Sequence, residues 1–265
     1  MSAASTVTSS DAARGPSRRP RRPARKRGAF AIQVLGELLI TLGVVLGLFI
    51  VWQLWWTNVE ADIRQDQAVR EFVQEFEPPA ATARPSAPAQ KAAPPVLEAP
   101  AHGGVIGVLY IPRFGEDYAR PVLEGSGRDV LDTLGLGHYP STSMPGAKGN
   151  FALAGHRQTH GAVLDNIDKL VPGDRIYLQT KEGFYTYVFR DSRIVLPHEV
   201  DVLLPVPQKP GVKPTESLLT LTTCHPRYGN TERFIAYSVL KSWQPASEGA
   251  PPEIAARVAA ALKGS

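Results

Sequence analysis

The stretch TLTTCHPRYGNTERF, residues 220–234, contains the only cysteine of the 265-residue chain, and an arginine, Arg233, follows that Cys224 nine residues later. A lone cysteine is often a small buried hydrophobe. Here the run of β-formers LLTLTT stops at Cys224, and HPRYGN is polar and turn-forming, so the thiol falls at the mouth of a strand. A free thiol has a pKa of about 8.5 and is only a few per cent thiolate at neutral pH, so nucleophilic catalysis needs a base or a positive field beside it.

Six histidines are candidates for that base: His102, His138, His156, His160, His198 and His225. His156 is the best placed, because it ends the apolar strand GNFALAGH, where Gly155 permits a sharp turn at a sheet rim. His225 adjoins Cys224 and would face the opposite side of a continuing strand. His160 lies four residues beyond His156, but Gly155 and Gly161 bracket the pair, against the helical His-x-x-x-His metal pattern, and no metal is expected. An acyl transfer also needs a donor for the tetrahedral oxyanion. Arg233 opens the strand after the turn, lies beside Cys224 in a hairpin-like return, and stays charged at any working pH.

These residues require a β framework. Strand patterns run over 105–112, 119–125, 149–156, 174–180, 184–195, 217–224 and 233–243, and two short helices are expected near 127–135 and 163–170. Seven or so strands with little helix in about 140 residues suggest a closed barrel or a sandwich. The final residues, 245–265, form a tail with a possible terminal helix.

The N-terminal part is of another kind. Residues 1–28 carry eight Arg or Lys against one Asp, a balance of +7, while the remainder holds 21 of the 29 basic and 24 of the 25 acidic residues, −3. The net charge of +4 therefore comes from the tail, and a nucleic-acid partner is not expected. Leu38 to Trp56 is a run of 19 residues without a charge. At 1.5 Å per residue it would span roughly 28 Å, close to a bilayer's hydrocarbon thickness. Trp52, Trp55 and Trp56 close it where indoles favour the interface, and the basic cluster sets the N-terminus in the cytoplasm. A signal peptide would be shorter and would end at a small-x-small site. The expected division is a basic cytoplasmic tail (1–28), a transmembrane helix (29–57), a juxtamembrane helix acting as a stalk (58–77), an extended Pro/Ala-rich linker with seven prolines (78–101), a catalytic domain (102–244) and the tail.

LAGH, then TLTTC, then an Arg nine residues on, behind an N-terminal anchor, resemble the sortases, the cysteine transpeptidases of Gram-positive envelopes. The resemblance covers roughly residues 102–244. It implies a closed eight-stranded β-barrel with short helices. It also implies that Cys224 attacks the Thr–Gly amide of a C-terminal sorting signal, that Arg233 holds the backbone and oxyanion, and that His156 protonates the leaving amine. The thioacyl-enzyme would pass to an amino group of a peptidoglycan precursor, with no cofactor. The segment GHYPSTSMPGAKGNFALAGHR (137–157) looks like class E, in which a tyrosine, here Tyr139, is associated with a preference for Leu-Ala-x-Thr-Gly over Leu-Pro-x-Thr-Gly. Thr222 and Thr223 are the other expected substrate contacts. A pilin-polymerising sortase and a catalytically silent anchored barrel are the alternatives. The Ser-x-Gly-Cys pattern of L,D-transpeptidases fails at Leu221–Cys224.

Overall fold

The computed structural model describes residues 27–76 and 93–263. Most of the basic tail and the first part of the Pro/Ala-rich stretch lie outside them. The described chain divides into two units, one ending at Ile50 and the other beginning at Val51.

Eight strands form a closed barrel: β1 (Val105–Tyr110), β2 (Ala119–Glu124), β3 (Leu136–His138), β4 (Gly149–Ala154), β5 (Arg175–Gln179), β6 (Gly183–Val195), β7 (Ser217–His225) and β8 (Glu232–Pro245). Around the barrel the order is β1-β2-β3-β4-β7-β8-β6-β5, and β5 pairs with β1 to close it. The pairs β2/β3 and β4/β7 are parallel and the others antiparallel. This is the closed eight-stranded architecture expected from the resemblance. Of the eight strands, β3 was not legible in advance, and its three residues, Leu-Gly-His, carry no β pattern.

The period-two alternation sets the layers. Leu219 and Leu221 of β7, Phe151 and Leu153 of β4, and Tyr185 and Tyr187 of β6 fill the interior. The intervening residues face outward. Outside β1, β5 and β6, Val108, Tyr110, Tyr177 and Phe184 form a second apolar cluster with Val69, Phe72 and Val73 of helix α1 (Arg27–Phe76) and with Ile254, Val258 and Ala261 at helix α3 (Ala255–Lys263). A third cluster, Val195, Val202, Ile235 and Tyr237, lies where the β6–β7 connection covers β8.

Helix α1 runs unbroken from Arg27 to Phe76, with no boundary near residue 57. Its first part is apolar and exposed, and among the described residues it is the one helix long and apolar enough to cross a membrane. Glu37 accepts a hydrogen bond from Gln33 one turn earlier (3.0 Å). The last turns do not stand clear as a stalk. Val69 and Val73 are fully buried and Phe72 nearly so, whereas Ile63 is exposed. The buried face is instead Ala61, Gln65, Val69, Phe72 and Val73, the i, i+4, i+7 spacing of a helix on a barrel. Full burial of a Val or Phe side chain is worth about 1.5–3 kcal/mol, so these three residues alone bind the segment firmly. Residues 93–101, the end of the expected linker, lie against the barrel too, where Tyr185 Oη donates to the Pro95 carbonyl (2.7 Å). The helix expected over 163–170 is a 3-10 turn at Ile167–Lys169, and the one near 127–135 is the single turn α2 (Arg128–Leu131).

Candidate active site

Antiparallel pairing of β7 and β8 places Cys224 directly opposite Arg233. Directly opposed residues share a face, with Cβ atoms about 4.5–5.5 Å apart. That face is the outer one, because Leu219, Leu221 and Thr223 alternate inward while Thr220, Thr222 and Cys224 alternate outward. Cys224 is partly exposed and in no disulfide. The turn after it curls beneath Arg233, whose Nη1 donates to the carbonyls of Asn230 (2.9 Å) and Glu232 (2.8 Å).

Strand β4 runs parallel to β7 with Ala154 beside Thr222, and Gly155 N continues the ladder to the Thr222 carbonyl (3.1 Å). His156 follows directly after this last ladder residue, where the chain leaves the strand. Gly155 is required by packing. A Cβ there would approach Val163 to 2.8 Å, Leu136 to 2.9 Å and Leu164 to 3.0 Å. His156 Nε2 makes a 2.6 Å hydrogen bond with Asp132 Oδ1 just past α2, and its ring lies over that of His160 at 5.0 Å. Asp132 also lies 3.6 Å from Arg128 Nε and 3.8 Å from His160 Nδ1. Burial pushes the His160 imidazole below its usual pKa, and the neighbouring Asp132 carboxylate only partly opposes the shift.

The other expected contacts divide between the two faces. Tyr139 Oη and Thr222 Oγ1 are 3.0 Å apart on the outer side. Thr223 points inward, and its hydroxyl donates to the Gly155 carbonyl (2.7 Å), so it fixes the turn into His156. His138 is sealed inside, with Nδ1 2.7 Å from Glu124 Oε2 and Nε2 3.0 Å from Thr142 Oγ1. Arg227, in the turn after Cys224, forks onto Asp165 (2.8 and 2.5 Å).

Sequence reasoning missed four residues around this centre. Asp132 lies in a segment expected only to be helical. Arg157, 3% exposed, ties the His loop to the Cys strand: Nη1 donates to His225 Nδ1 (2.9 Å) and Nη2 lies 3.2 Å from Asp168. Its position next to His156 in LAGHR was the available signal. The other two are on α1. Asn58 brackets the loop after His156, donating to the Gln158 carbonyl (3.3 Å) and accepting from Gly161 N (3.0 Å). Gln65, with no exposed surface, donates to the His160 carbonyl (3.0 Å). Gly161 has φ +84° and would put a Cβ 2.7 Å from the Gln65 amide, so both its backbone and its neighbour demand glycine.

A thiol, an imidazole held by a carboxylate and a guanidinium on one rim can carry out acyl transfer through a thioester. The comparisons agree with that chemistry. A family model described as the sortase domain matches residues 109–241. Sortase SrtE1 of Streptomyces coelicolor is 37% identical over 86% of this chain, which spans 63% of that relative's length. Sortase SrtE2 of the same organism is 36% identical over 90% of this chain and 93% of its own. The SrtA sortase of Actinomyces oris superposes with a TM-score of 0.60 at 38% identity, covering 63% of this chain and 96% of that one. A crystal structure of sortase E1 from Streptomyces coelicolor with a tripeptide in the active site gives 0.53 at 36% identity, covering 60% and 99%. The fold, the class E relatives and the matched domain together establish that this chain belongs to the sortase family of cysteine transpeptidases.

Proposed function

We propose that this chain is a membrane-anchored class E transpeptidase acting on a Leu-Ala-x-Thr-Gly or Leu-Pro-x-Thr-Gly sorting signal. With the Cys224 proton resting on His156, the Cys224 thiolate Sγ adds to the threonine carbonyl carbon, and the Arg233 guanidinium donates to the oxyanion. As the tetrahedral adduct collapses the C–N bond breaks, His156 delivers a proton to the glycine nitrogen, and a thioester remains. An amine of a wall precursor then attacks that carbonyl, yields its proton to His156, and expels the Cys224 thiolate. Asp132 holds the His156 ring at the angle both proton transfers need. Tyr139 and Thr222 line the outer face beside Cys224 and contact the peptide. The observation that carries this reading is the register: Cys224 and Arg233 are cross-strand partners, and the parallel β4/β7 ladder, whose last bond runs from Gly155 N to the Thr222 carbonyl, ends one residue before His156. The relative with a tripeptide in its active site supports a peptide as the ligand class. The apolar part of α1 and the positive N-terminal charge support one span with the N-terminus cytoplasmic and the barrel outside.

The test uses the full chain in detergent with fluorogenic Leu-Ala-x-Thr-Gly and Leu-Pro-x-Thr-Gly peptides and a triglycine nucleophile. Wild type is expected to cleave the peptide and to form the triglycine adduct, and Cys224→Ala to do neither. Equal signal from the two proteins would refute the assignment. A mass increment on wild type that hydroxylamine removes identifies the thioester.

A further inference from the structure

We propose that Asp132, His156 and His160 form a binding site for a divalent transition-metal cation of the zinc class, whose occupation withdraws His156 from the reaction. The second half rests on His156 being the acid–base group; the first half does not. One ligand atom from each of the three residues lies within 4.8 Å of the others. His156 Nε2 is 2.6 Å, and His160 Nδ1 3.8 Å, from the same Asp132 oxygen. In a tetrahedral shell with bonds of about 2.0–2.2 Å, neighbouring ligand atoms sit roughly 3.3–3.5 Å apart. The first edge must therefore open by roughly 0.7–0.9 Å and the second close by roughly 0.3–0.5 Å, while the His156–His160 edge, within 4.8 Å, closes to the same length; side-chain rotations supply these shifts.

Two independent features of His160 point to a ligand. Its Nδ1 is shielded from solvent, although the side chain as a whole is 32% exposed, and makes no hydrogen bond among the described residues. Buried polar nitrogens without partners are uncommon and need an explanation. Its backbone also adopts φ +52°, sparsely populated for a residue with a Cβ, and is held there because Gln65 grips the carbonyl and Asn58 the next amide. The chain thus maintains an unfavourable conformation that holds an unpaired imidazole nitrogen against a carboxylate. Two imidazoles and one carboxylate, with a fourth position for water, suit zinc rather than calcium or magnesium, which take oxygen shells. Arg128 Nε is 3.6 Å from Asp132 and opposes a cation, but the side chain is 90% exposed and can swing into solvent. Cys224 is not in the group, so the site differs from capture of the cation by the thiolate. A cation bound here replaces the proton shared by His156 and Asp132, and the imidazole can neither give nor take one.

The test titrates Zn²⁺ into the tag-free, chelator-stripped full chain in detergent by calorimetry, with Co²⁺ as a spectroscopic stand-in. One equivalent is expected, with Co²⁺ visible bands but no thiolate charge-transfer band. Affinity should fall roughly tenfold or more in both His160→Ala and Asp132→Asn and persist in Cys224→Ala. Binding that survives His160→Ala and Asp132→Asn, is lost in Cys224→Ala, or is not seen in wild type overturns the site. Melting curves identify a variant that fails to fold, and the other variant then decides. Peptide cleavage by wild type should be inhibited with the midpoint of the binding curve. Binding that depends on His160 without inhibition overturns the role given to His156 and leaves the site standing.

Discussion

Replacing Gln65 by alanine tests whether the last turns of α1 belong to the working domain. The side chain has no exposed surface, and its amide nitrogen donates to the His160 carbonyl at 3.0 Å. Stripping that carbonyl of its partner costs about 1–3 kcal/mol if no water replaces it. Truncation in a packed site adds a cavity contribution. Against these, Gln65 Oε1 is itself buried without a hydrogen bond, so deletion recovers part of an existing cost. The net loss should be about 1–2 kcal/mol. For a domain of this size that corresponds to a fall in Tm of roughly 3–8 °C. If the loss is confined to the loop after His156, the competent loop population and kcat/KM fall by up to about 5–30-fold. The assay is a thermal melt of the full chain in detergent, with amide exchange read at Gly161 and Leu164 and peptide cleavage in parallel. Alkylation of Cys224 should change less than twofold, because the β7 ladder rather than the loop holds that residue. Gln65→Met retains the volume and removes the unpaired oxygen along with the donor, so it should be milder than alanine. Unchanged exchange across 156–164 in Gln65→Ala would refute the reasoning and return this stretch of α1 to a passive connector.

Asp132→Asn removes a charge-assisted hydrogen bond worth about 1.5–3 kcal/mol, and kcat for peptide cleavage should fall roughly 10–100-fold with KM little changed. A reduction confined to KM would show that Asp132 binds peptide instead of orienting His156. Arg233→Lys keeps the charge but loses the planar fork, and should reduce kcat/KM by at least tenfold, or about 1.4 kcal/mol; wild-type kinetics would remove Arg233 from the oxyanion role. Tyr139→Phe deletes only the hydroxyl that meets Thr222, and should alter the ratio of Leu-Ala-x-Thr-Gly to Leu-Pro-x-Thr-Gly cleavage without lowering Tm by more than a few degrees. An unchanged ratio would mean that the tyrosine does not read the second signal position. Asp174 is forked by Arg113, which holds its carboxyl below the usual range. Its contribution to stability is therefore present above the ordinary aspartate pKa of about 3.9 and is lost as pH falls below it. The stability difference between wild type and Asp174→Asn should shrink below pH about 4 in acid melts, and a constant difference would refute the ion pair's role.

The strands that could be read from sequence are those whose alternation is strong. TLTTC and LAGH each combine β-branched or apolar residues with a clear stop, and the return that sets Arg233 beside Cys224 follows from the first, whereas the parallel pairing of β4 with β7 does not. Strand β3 could not be read, since Leu136–His138 owes its place to backbone pairing with β2 and β4 rather than to side-chain pattern. The packed face of α1 departs from its apolar pattern for a physical reason. A polar Gln65 sits at its centre because the loop offers a carbonyl there, while apolar Ile63 is left in solvent. Cys224, His156 and Arg233 announce themselves by residue type and strand position. Asp132 does not, because its function as a partner comes from a contact across 24 residues that no local spacing encodes. Thr223 shows the limit of motif reading. It adjoins Thr222 in sequence, yet the pleat turns it inward to brace Gly155.

Because β5 returns to pair with β1, every strand of the barrel has a neighbour on both sides. Along the cysteine strand β7, Ser217–Thr222 are paired by β4 and Leu218–His225 by β8, so an extended peptide finds no free edge along the body of that strand onto which it could add by main-chain hydrogen bonding. A ligand at Cys224 must instead lie across the outer face and be gripped by side chains and loop groups, each fitting one position of the ligand. Closure of the sheet thus favours a short motif read residue by residue over any extended chain that happens to be nearby. It also implies that exchanging outward residues of β4, β7 and β8 can alter the motif without disturbing the ladder that holds the thiol in place.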